Sequence, residues 1–238
     1  TLLVDLDPGL HRTGVADAAA AVALARQIAG HSALSFGGLQ FYCGAEQHIE
    51  AYADRREAII GKMERLTQTI AALKAAGLAP TIVSGGGTGT HAIDGELGVF
   101  TELQVGSYIF MDRQYADCAL TEGADQPFET SLMIDARVIS ASHPMLVTVD
   151  AGLKAMATEA GAPPILAGAP EGSAYHFMGD EHGAIVPPRG IAPPRLGERV
   201  VLAAPHCDPT VNLYEAYHVV RGETLEAIWP VSARGRSA

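Results

Sequence analysis

The chain has 238 residues, of which 48% are hydrophobic and 18% are charged, and its net charge is −11. That size and apolar content are enough to bury a full core in one large domain or two small ones. Because the chain is acidic and has no cluster of Lys or Arg, its composition argues against binding to nucleic acid or to an anionic membrane surface.

Short apolar strands alternate with amphipathic helices through the first half of the chain, a pattern typical of parallel pairing in an α/β layer or barrel. The strands are TLLVDLD from Thr1, ALSFGGLQFY from Ala33, PTIVSGGG from Pro80 and TELQVGSYIF from Thr101. Residues 17–28 and 45–76 have helical periodicity. The charges expected on the solvent side of the second helix are Glu50, Arg55, Arg56, Lys62 and Glu64.

From about residue 125 the pattern changes to strands separated by Gly and Pro turns, which predicts an all-β domain. The strands expected there lie within residues 128–142, 145–152, 183–188, 198–205 and 217–231. We therefore predict two domains, an α/β domain over 1–125 and a β domain over 126–238. The chain also begins at Thr1 inside a strand pattern, which suggests a fragment whose N-terminal portion is missing.

The chemistry of the cysteines and the lack of targeting segments bear on location. Three cysteines at wide spacing, Cys43, Cys118 and Cys207, argue against a disulfide framework and fit a reducing cytoplasm. No apolar run approaches the length of a membrane span, and nothing reads as a signal peptide. The sequence therefore predicts a cytoplasmic protein without a membrane partner.

Polar residues and glycines gather where the four predicted strands of the first half end, which is where parallel α/β folds bind ligands. The SGGGTGTH stretch from Ser84 to His91 exposes backbone N–H groups and hydroxyls, so it could cradle a phosphate, but a plain tight turn is an equally good interpretation. The other polar residues at strand ends are Asp7, Gly9, His11, Arg12, Gly14, Gln40, Tyr42, Gly44, Gln104, Gly106, Ser107 and Tyr108.

Several single residues have ordinary structural interpretations. Taken alone, Arg12 and His48 are expected to be surface residues, and Tyr42 could be part of the core. The GDEHG loop, with Asp180 to His182, is either a turn or part of a site.

The APHCDPT stretch places His206 and Asp208 two residues apart. On an extended segment both would point to the same face and could bind one ion, while Cys207 would point the opposite way. An imidazole with a carboxylate suits Mn²⁺ or Mg²⁺. The alternative is a strand end with exposed polar residues.

The stretches VDLDPGLHRTGV, GLQFYCGAEQHI, VSGGGTGTH, TELQVGSYIFMD, DAGLKAM, GDEHG and PHCDPTVNLY occur in an order that resembles the D-threonine aldolase / D-serine dehydratase family. That family consists of fold-type III pyridoxal 5'-phosphate (PLP) enzymes related to alanine racemase. The resemblance covers essentially the whole chain. It implies an α/β plus all-β fold, namely the C-terminal half of an alanine racemase-like (β/α)8 barrel followed by a β-strand domain.

The resemblance also implies roles for individual residues. Arg12 would lie beside the ring oxygen of PLP, Tyr42 would pack against the ring, and Gln104 would face the pyridine nitrogen. His48 would act as acid or base near the substrate hydroxyl. The phosphate would be held by Gly86, Gly87, Thr88, Gly106 and Ser107, and the metal by His206 and Asp208, with Mn²⁺ or Mg²⁺ favoured over Zn²⁺.

The lysines depart from the family pattern. The Schiff-base lysine of the family lies on the first barrel strand, which this sequence does not contain. Lys62 and Lys74 fall in helical stretches, and Lys154 falls in the predicted β domain, where the family has a lysine that is not catalytic. The family's activity is therefore expected of the complete protein, which relatives suggest is a homodimer.

The expected reaction is a PLP- and metal-dependent aldol cleavage of a D-3-hydroxy amino acid to glycine and an aldehyde. The alternative is dehydration of D-serine or D-3-hydroxyaspartate to ammonia and a keto acid; the similar dehydratases have Cys two residues after the metal-binding His, where this chain has Asp208. A non-catalytic PLP-binding remnant stays open, since the lysine is missing. A metal-dependent hydrolase is a weaker alternative, because the first half supplies few ligands.

Overall fold

A computed structural model describes residues 1–123 and 125–236. The chain forms two compact units. The first unit comprises Thr1–Tyr108 with Asp117–Pro127, and the second comprises Ile109–Ala116 with the chain from Phe128 onward. The division into domains at residue 125 stays a prediction.

The first unit is built on a parallel sheet of four strands in the order β1-β2-β3-β4. The strands are β1 (Leu2–Asp5), β2 (Phe36–Phe41), β3 (Ile82–Gly85) and β4 (Glu102–Leu103). The helices between them are α1 (Ala18–Gly30), α2 (Tyr52–Ala75) and α3 (His91–Leu97). This alternation is the α/β pattern that the sequence predicts, and the strand ends that follow β1, β2 and β3 meet at one edge of the sheet.

The core of the first unit lies between the sheet and the helices. Val4, Leu39 and Phe41 from the strands pack with Ile59 and Leu66 from α2. Helix α1 begins after Asp17, whose carboxylate accepts a hydrogen bond from the Ala20 backbone N–H at 2.8 Å. That contact satisfies one of the backbone donors that the first turn of a helix leaves free.

Helix α2 begins at Tyr52, seven residues later than predicted, and one of its charges is buried. The residues from Ala45 to Ala51 form turns instead. The Arg55 guanidinium donates to the backbone carbonyls of Ile49 and Glu50, so these carbonyls are not available for helical bonding. Arg55 is fully buried, and its expected place on the solvent side was wrong.

Strand β4 contains two residues rather than the ten predicted. The backbone then leaves the ladder and forms a 3₁₀ turn at Ser107–Ile109. The Tyr108 backbone N–H donates to the Thr88 hydroxyl oxygen at 3.2 Å rather than to a neighbouring strand. The end of the predicted strand therefore lies beside the loop that follows β3.

The second unit contains a six-stranded antiparallel sheet in the order β7-β10-β5-β6-β9-β8, and a separate hairpin. The sheet strands are β5 (Met133–His143), β6 (Leu146–Val149), β7 (Ile165–Ala167), β8 (Ala174–Phe177), β9 (Gly183–Val186) and β10 (Arg199–Ala203). The hairpin pairs β11 (Ala216–Arg221) with β12 (Thr224–Pro230), and the two helices are α4 (Arg113–Ala116) and α5 (Cys207–Val211). The predicted β segments all contain strands, whereas β7 and β8 escaped the sequence pattern because both are short and bounded by Gly and Pro.

Alternate residues of the long strand β5 supply the core of the second unit. Ile134, Ala136 and Val138 are buried and pack with residues of β6 and β10, among them Val147 and Leu202. Among the described helices, none is both long and apolar enough to cross a membrane.

Candidate functional site

The loop after β1 is organised by the Asp7 carboxylate. Asp7 accepts hydrogen bonds from the backbone N–H groups of Gly9 and His11, at 2.8 and 3.0 Å, and from Nδ1 of His11 at 2.7 Å. The pKa of Asp7 is lowered to about 2, chiefly by the His11 backbone N–H. His11 adopts a left-handed backbone with φ of 58°, which this set of contacts holds in place.

Arg12 and Tyr42, which the sequence assigns to one cofactor ring, lie together. The Arg12 guanidinium carbon is 5.4 Å from the centroid of the Tyr42 ring. This is within the range of a cation–π contact. The loop after β1 and the end of β2 therefore bring these two predicted site residues into one place.

Two basic residues of α2 donate hydrogen bonds to backbone carbonyls of the loop after β1. The sequence pattern did not indicate these contacts. Lys62 donates to the Pro8 carbonyl at 2.8 Å and pairs with Glu46 at 3.0 Å. Arg65 donates to the Asp7 carbonyl at 3.0 Å. Lys62 lies in a helix, as predicted, and its ammonium has structural partners; that it is not the cofactor lysine stays a prediction.

The glycine-rich loop after β3 is fixed by Gln47, which is fully buried. The Gln47 amide donates to the Cys43 carbonyl at 3.2 Å and to the Thr90 hydroxyl at 3.0 Å, and its oxygen accepts from the Gly89 N–H at 3.1 Å. A Cβ at Gly89 would lie 1.9 Å from the Gln47 carbonyl oxygen. The loop therefore requires glycine at this position, and Gln47 is a structural residue that the sequence analysis missed.

The predicted phosphate residues lie on two neighbouring segments. Thr88 accepts from the Tyr108 N–H, which brings the loop after β3 against the turn that contains Gly106 and Ser107. In the described part of the chain, neither the backbone N–H groups of Gly106 and Ser107 nor the Ser107 hydroxyl donates a hydrogen bond. A Cβ at Gly106 would meet no atom within 4 Å, so there is open space beside these donors.

The loop donors differ in availability. The Gly87 N–H donates to the Thr90 hydroxyl oxygen at 3.2 Å and is engaged within the loop. Gly86 has a φ of 66°, so its left-handed backbone favours glycine. The free donors, the hydroxyls and the open space next to them fit a phosphate group.

Gln104 belongs to a polar row on the sheet. Its amide donates to the Ser84 hydroxyl oxygen at 3.0 Å and approaches the Gln40 amide oxygen at 3.4 Å. Ser84 in turn donates to the Glu102 carboxylate at 2.6 Å. The amide of Gln104 is thus held by side chains of β2 and β3, and its role opposite the pyridine nitrogen stays a prediction.

Asp94 lies under the glycine-rich loop and has an unusual environment. Its Oδ2 atom is buried without a hydrogen-bond partner, and a Cβ at Gly86 would lie 2.4 Å from that atom. Burial raises the pKa of Asp94 to about 6, although a hydrogen bond from Thr90 opposes the shift. No pattern in the sequence indicates a role for this residue.

His48 is exposed and lies in the turns between β2 and α2. Its neighbour Gln47 anchors this segment to the glycine-rich loop, and Arg55 fixes the backbone of Ile49 that follows. His48 was expected within a helix and lies instead in a turn before α2; its acid–base role stays a prediction.

In the second unit, His206 and Asp208 approach each other, but the expected extended segment was wrong. His206 precedes α5 with an extended backbone, and Asp208 lies in the first turn of that helix. The turn still brings His206 Nε2 to 3.6 Å from Asp208 Oδ2. Cys207, which was expected to point away from His206 and Asp208, is fully buried, and its sulfur lies 3.5 Å from Asp208 Oδ1.

Glu159 is the third side chain at this position, and sequence spacing could not reveal it. Its Oε1 atom lies 2.6 Å from His206 Nδ1. The pKa of His206 is raised to about 9, first by Asp208 and also by Glu159 and Asp112, against the effect of burial. These carboxylates therefore favour positive charge at His206.

Buried contacts position α5 within the second unit. Asp112 is fully buried, and its Oδ2 atom accepts from the Cys207 backbone N–H at 2.8 Å. The Thr210 hydroxyl donates to the His206 carbonyl at 2.6 Å and accepts from the Ala157 N–H at 3.0 Å. The start of α5 thus has a fixed backbone.

The remaining acidic groups do not add a site. In the described ranges, no group of three or more His, Cys, Asp and Glu side chains is arranged to hold a metal ion. Lys154 pairs with Glu181 at 2.6 Å and with Asp180 at 3.8 Å, so both acidic residues of the GDEHG loop have a basic partner.

Two known domain families match separate parts of this chain. Residues 1–114 match the family described as alanine racemase, N-terminal domain, and residues 131–220 match the putative serine dehydratase domain. The chain is 38% identical over 238 residues to 3-hydroxy-D-aspartate aldolase of Paracoccus denitrificans (strain Pd 1222), a match that covers 99% of this chain and 60% of the relative. It is 40% identical over 237 residues to D-threonine aldolase of Arthrobacter sp, with 99% and 61% covered.

A solved structure has the same fold. The crystal structure of D-threonine aldolase from Filomicrobium marinum superposes with a TM-score of 0.93 at 38% identity, over 99% of this chain and 64% of that one. This chain spans about 60% of the length of the curated relatives it matches. Over nearly its whole length the chain is similar to members of the D-threonine aldolase / D-serine dehydratase family, and it has the fold of the C-terminal half of an alanine racemase-like barrel followed by a β-strand domain.

Proposed function

We propose that the whole protein is a PLP- and divalent-metal-dependent aldolase that cleaves D-3-hydroxy amino acids to glycine and an aldehyde. The observation that carries this proposal is the pair of donor atoms His206 Nε2 and Asp208 Oδ2, 3.6 Å apart. The relatives named as D-threonine aldolase and 3-hydroxy-D-aspartate aldolase support the same class of reaction. We expect the complete protein to be a homodimer.

The donor chemistry at His206 and Asp208 fits a divalent ion. Two atoms bound to one ion at about 2.1 Å can be at most about 4.2 Å apart, so 3.6 Å permits both to bind it. One imidazole and one carboxylate leave several positions for water or substrate and favour Mn²⁺ or Mg²⁺, with Zn²⁺ as a further option. A divalent ion held here would supply Lewis acidity toward a substrate oxygen.

The donors on the first unit fit PLP. Bound PLP would supply an electron sink for the negative charge left on the substrate Cα. Arg12 and Tyr42, already in contact, would orient the ring, and Gln104 would bond its nitrogen. The phosphate would be bound by Gly86, Gly87, Thr88, Gly106 and Ser107.

The protein's acid–base contribution would come from His48. Its imidazole would accept the proton of the substrate β-hydroxyl while the Cα–Cβ bond breaks, so that the hydroxyl oxygen becomes the carbonyl oxygen of the aldehyde. The exposure of His48 on a turn at the strand ends leaves it accessible to a substrate.

The second candidate function is dehydration, giving ammonia and a keto acid. The match of residues 131–220 to the putative serine dehydratase domain favours it. Against it, the residue two positions after His206 is Asp208, while Cys207 is fully buried and its backbone is held by Asp112. The thiol therefore does not replace the carboxylate as the second donor.

The test is an assay of the complete gene product with PLP and MnCl₂. We expect D-threonine to give glycine and acetaldehyde, and His206→Ala and Asp208→Ala to lose the Mn²⁺-dependent part of the rate. Release of ammonia and 2-oxobutanoate from D-threonine would favour the dehydratase. Protein that binds PLP but converts neither D-threonine nor D-serine would show a non-catalytic binding protein.

A further inference from the structure

Glu159 has a contact that the proposed metal pair alone does not explain. Its Oε1 atom lies 2.6 Å from His206 Nδ1, a length typical of a charge-assisted hydrogen bond. An ionised carboxylate has only acceptor atoms, so the hydrogen in this contact belongs to the imidazole. Nδ1 of His206 therefore carries a proton.

We propose that Glu159 is a positioning residue that orients His206 for metal binding, by accepting the Nδ1–H so that Nε2 presents its lone pair beside Asp208. This inference rests on the metal site proposed above. A metal-binding histidine usually donates its second ring N–H to a carboxylate or carbonyl, which fixes both its tautomer and its ring plane. Glu159 occupies that place for His206.

The contact is part of a regular ladder rather than an isolated surface pair. Every second residue of the segment 155–159 contacts one residue of the chain around α5, and these partners are four residues apart, from Tyr214 through Thr210 to His206. The Tyr214 hydroxyl donates to the Ala155 carbonyl at 2.7 Å, and the Ala157 N–H donates to the Thr210 hydroxyl oxygen at 3.0 Å. Glu159 and His206 form the third contact of the ladder.

The backbone next to Glu159 is held on its other side as well. The Arg113 guanidinium donates to the carbonyls of Ala160 and Ala162, at 3.2 and 3.0 Å. The Gly161 N–H closes a turn onto the Thr158 carbonyl at 3.0 Å. Because the segment is fixed before and after Glu159, its half-exposed side chain reaches His206 from a rigid base.

The charge pattern agrees with a role in positioning rather than in direct binding. Glu159 and Asp208 contact opposite nitrogens of the same ring, at 2.6 and 3.6 Å. An ion held by Nε2 and Asp208 would therefore lie on the side of the imidazole away from Glu159. The carboxylate of Glu159 makes the imidazole a stronger donor without occupying a coordination position.

The experiment measures Mn²⁺ affinity by calorimetric titration of the full chain with MnCl₂. His206→Ala and Asp208→Ala should abolish binding, and Glu159→Ala should raise the Kd by about 10–100-fold. Glu159→Gln should raise the Kd by less than Glu159→Ala does, because its amide oxygen still accepts the hydrogen bond from the Nδ1–H. The matched control is Glu171→Ala, which removes one exposed carboxylate from the same unit and should leave the Kd within about twofold.

A second readout reports the orientation of the ring directly. In Zn²⁺-loaded protein, ¹⁵N NMR of His206 should show Nε2 bound to the metal and Nδ1 protonated, and Glu159→Ala should speed exchange of the Nδ1 proton with water. Metal bound at Nδ1 would overturn the proposal.

The titrations separate the two proposals. A Glu159→Ala Kd equal to that of the unsubstituted chain, with binding still lost in His206→Ala, would overturn the positioning role and leave the metal site standing. Mn²⁺ binding that survives in both His206→Ala and Asp208→Ala would remove the metal site, and the role of Glu159 with it.

Discussion

The Oδ2 atom of Asp112 lies 2.8 Å from the backbone nitrogen of Cys207, the residue between His206 and Asp208. Asp112 is fully buried, and its Oδ1 atom also accepts from the Tyr115 N–H at 3.2 Å. The buried carboxylate thus fixes the start of both α4 and α5.

Replacing Asp112 with Ala should lower the free energy of unfolding by about 2–4 kcal/mol, because it leaves two buried N–H donors without partners. Denaturant unfolding measures the change. Glu171→Ala is the control and should stay within about 0.5 kcal/mol, since that side chain is exposed. Equal losses in the two variants would contradict a specific role for Asp112.

Replacing Arg55 with Lys should also destabilise the protein, by about 2–4 kcal/mol. The guanidinium donates to the carbonyls of Ile49, Glu50 and Ala119, and a single ammonium cannot reach both sides of this arrangement. Thermal unfolding should show the loss, whereas Arg56→Lys, in an exposed pair with Glu96, should be nearly neutral. A neutral Arg55→Lys would mean that the buried charge, not its fork of donors, is what matters.

Two glycines of the same region should respond in opposite directions to Ala. Gly89→Ala places a Cβ 1.9 Å from the Gln47 carbonyl oxygen. It should lower the free energy of unfolding by at least about 2 kcal/mol and should also weaken PLP binding. Gly95→Ala, in the exposed part of α3, meets no atom within 4 Å and should stabilise by about 0.5–1 kcal/mol. Paired melting curves and PLP titrations provide the comparison, and unchanged PLP binding in Gly89→Ala would argue against a phosphate role for the loop.

Replacing Asp94 with Asn should stabilise the protein in a pH-dependent way. The pKa of Asp94 in the folded protein, about 6, lies above the ordinary value of 3.8. The free energy of unfolding therefore falls as the pH rises from about 3.8 to about 6, and the full loss is present at higher pH. Asp94→Asn removes the charge and should stabilise by about 3 kcal/mol at pH 8 but not at pH 4 or below. The unfolding free energies of the unsubstituted protein and of Asp94→Asn should be measured from pH 3.5 to 8, because their difference reports the titration of Asp94 alone. A difference independent of pH would show that the pKa of Asp94 is not raised by folding.

The sequence predicted the elements whose pattern is local. Strands β1 to β3 and helix α1 follow from apolar periodicity along the chain. The order of the motifs indicated the resemblance to a known family, and the comparisons confirmed that resemblance. The roles of the individual site residues stay predictions.

What the sequence could not show depends on contacts between distant residues. Arg55 has the periodicity of a solvent-facing residue, and only the carbonyls of Ile49 and Ala119 explain its burial. Glu159 is 47 residues from His206. The turn at His206–Asp208 was expected to be extended because nothing in the local sequence reveals the Asp112 carboxylate that accepts from the Cys207 N–H.

The ladder between residues 155–159 and α5 also constrains chain length. The contacting residues are two apart in the segment 155–159 and four apart around α5, and the two spacings match in a single alignment of the segments. The loss or gain of one residue between Ala155 and Glu159 would therefore turn the Glu159 carboxylate away from His206. Length variation in this connection is therefore expected between Ala162 and the start of β7 at Ile165, and insertions made there should leave the Mn²⁺ affinity intact.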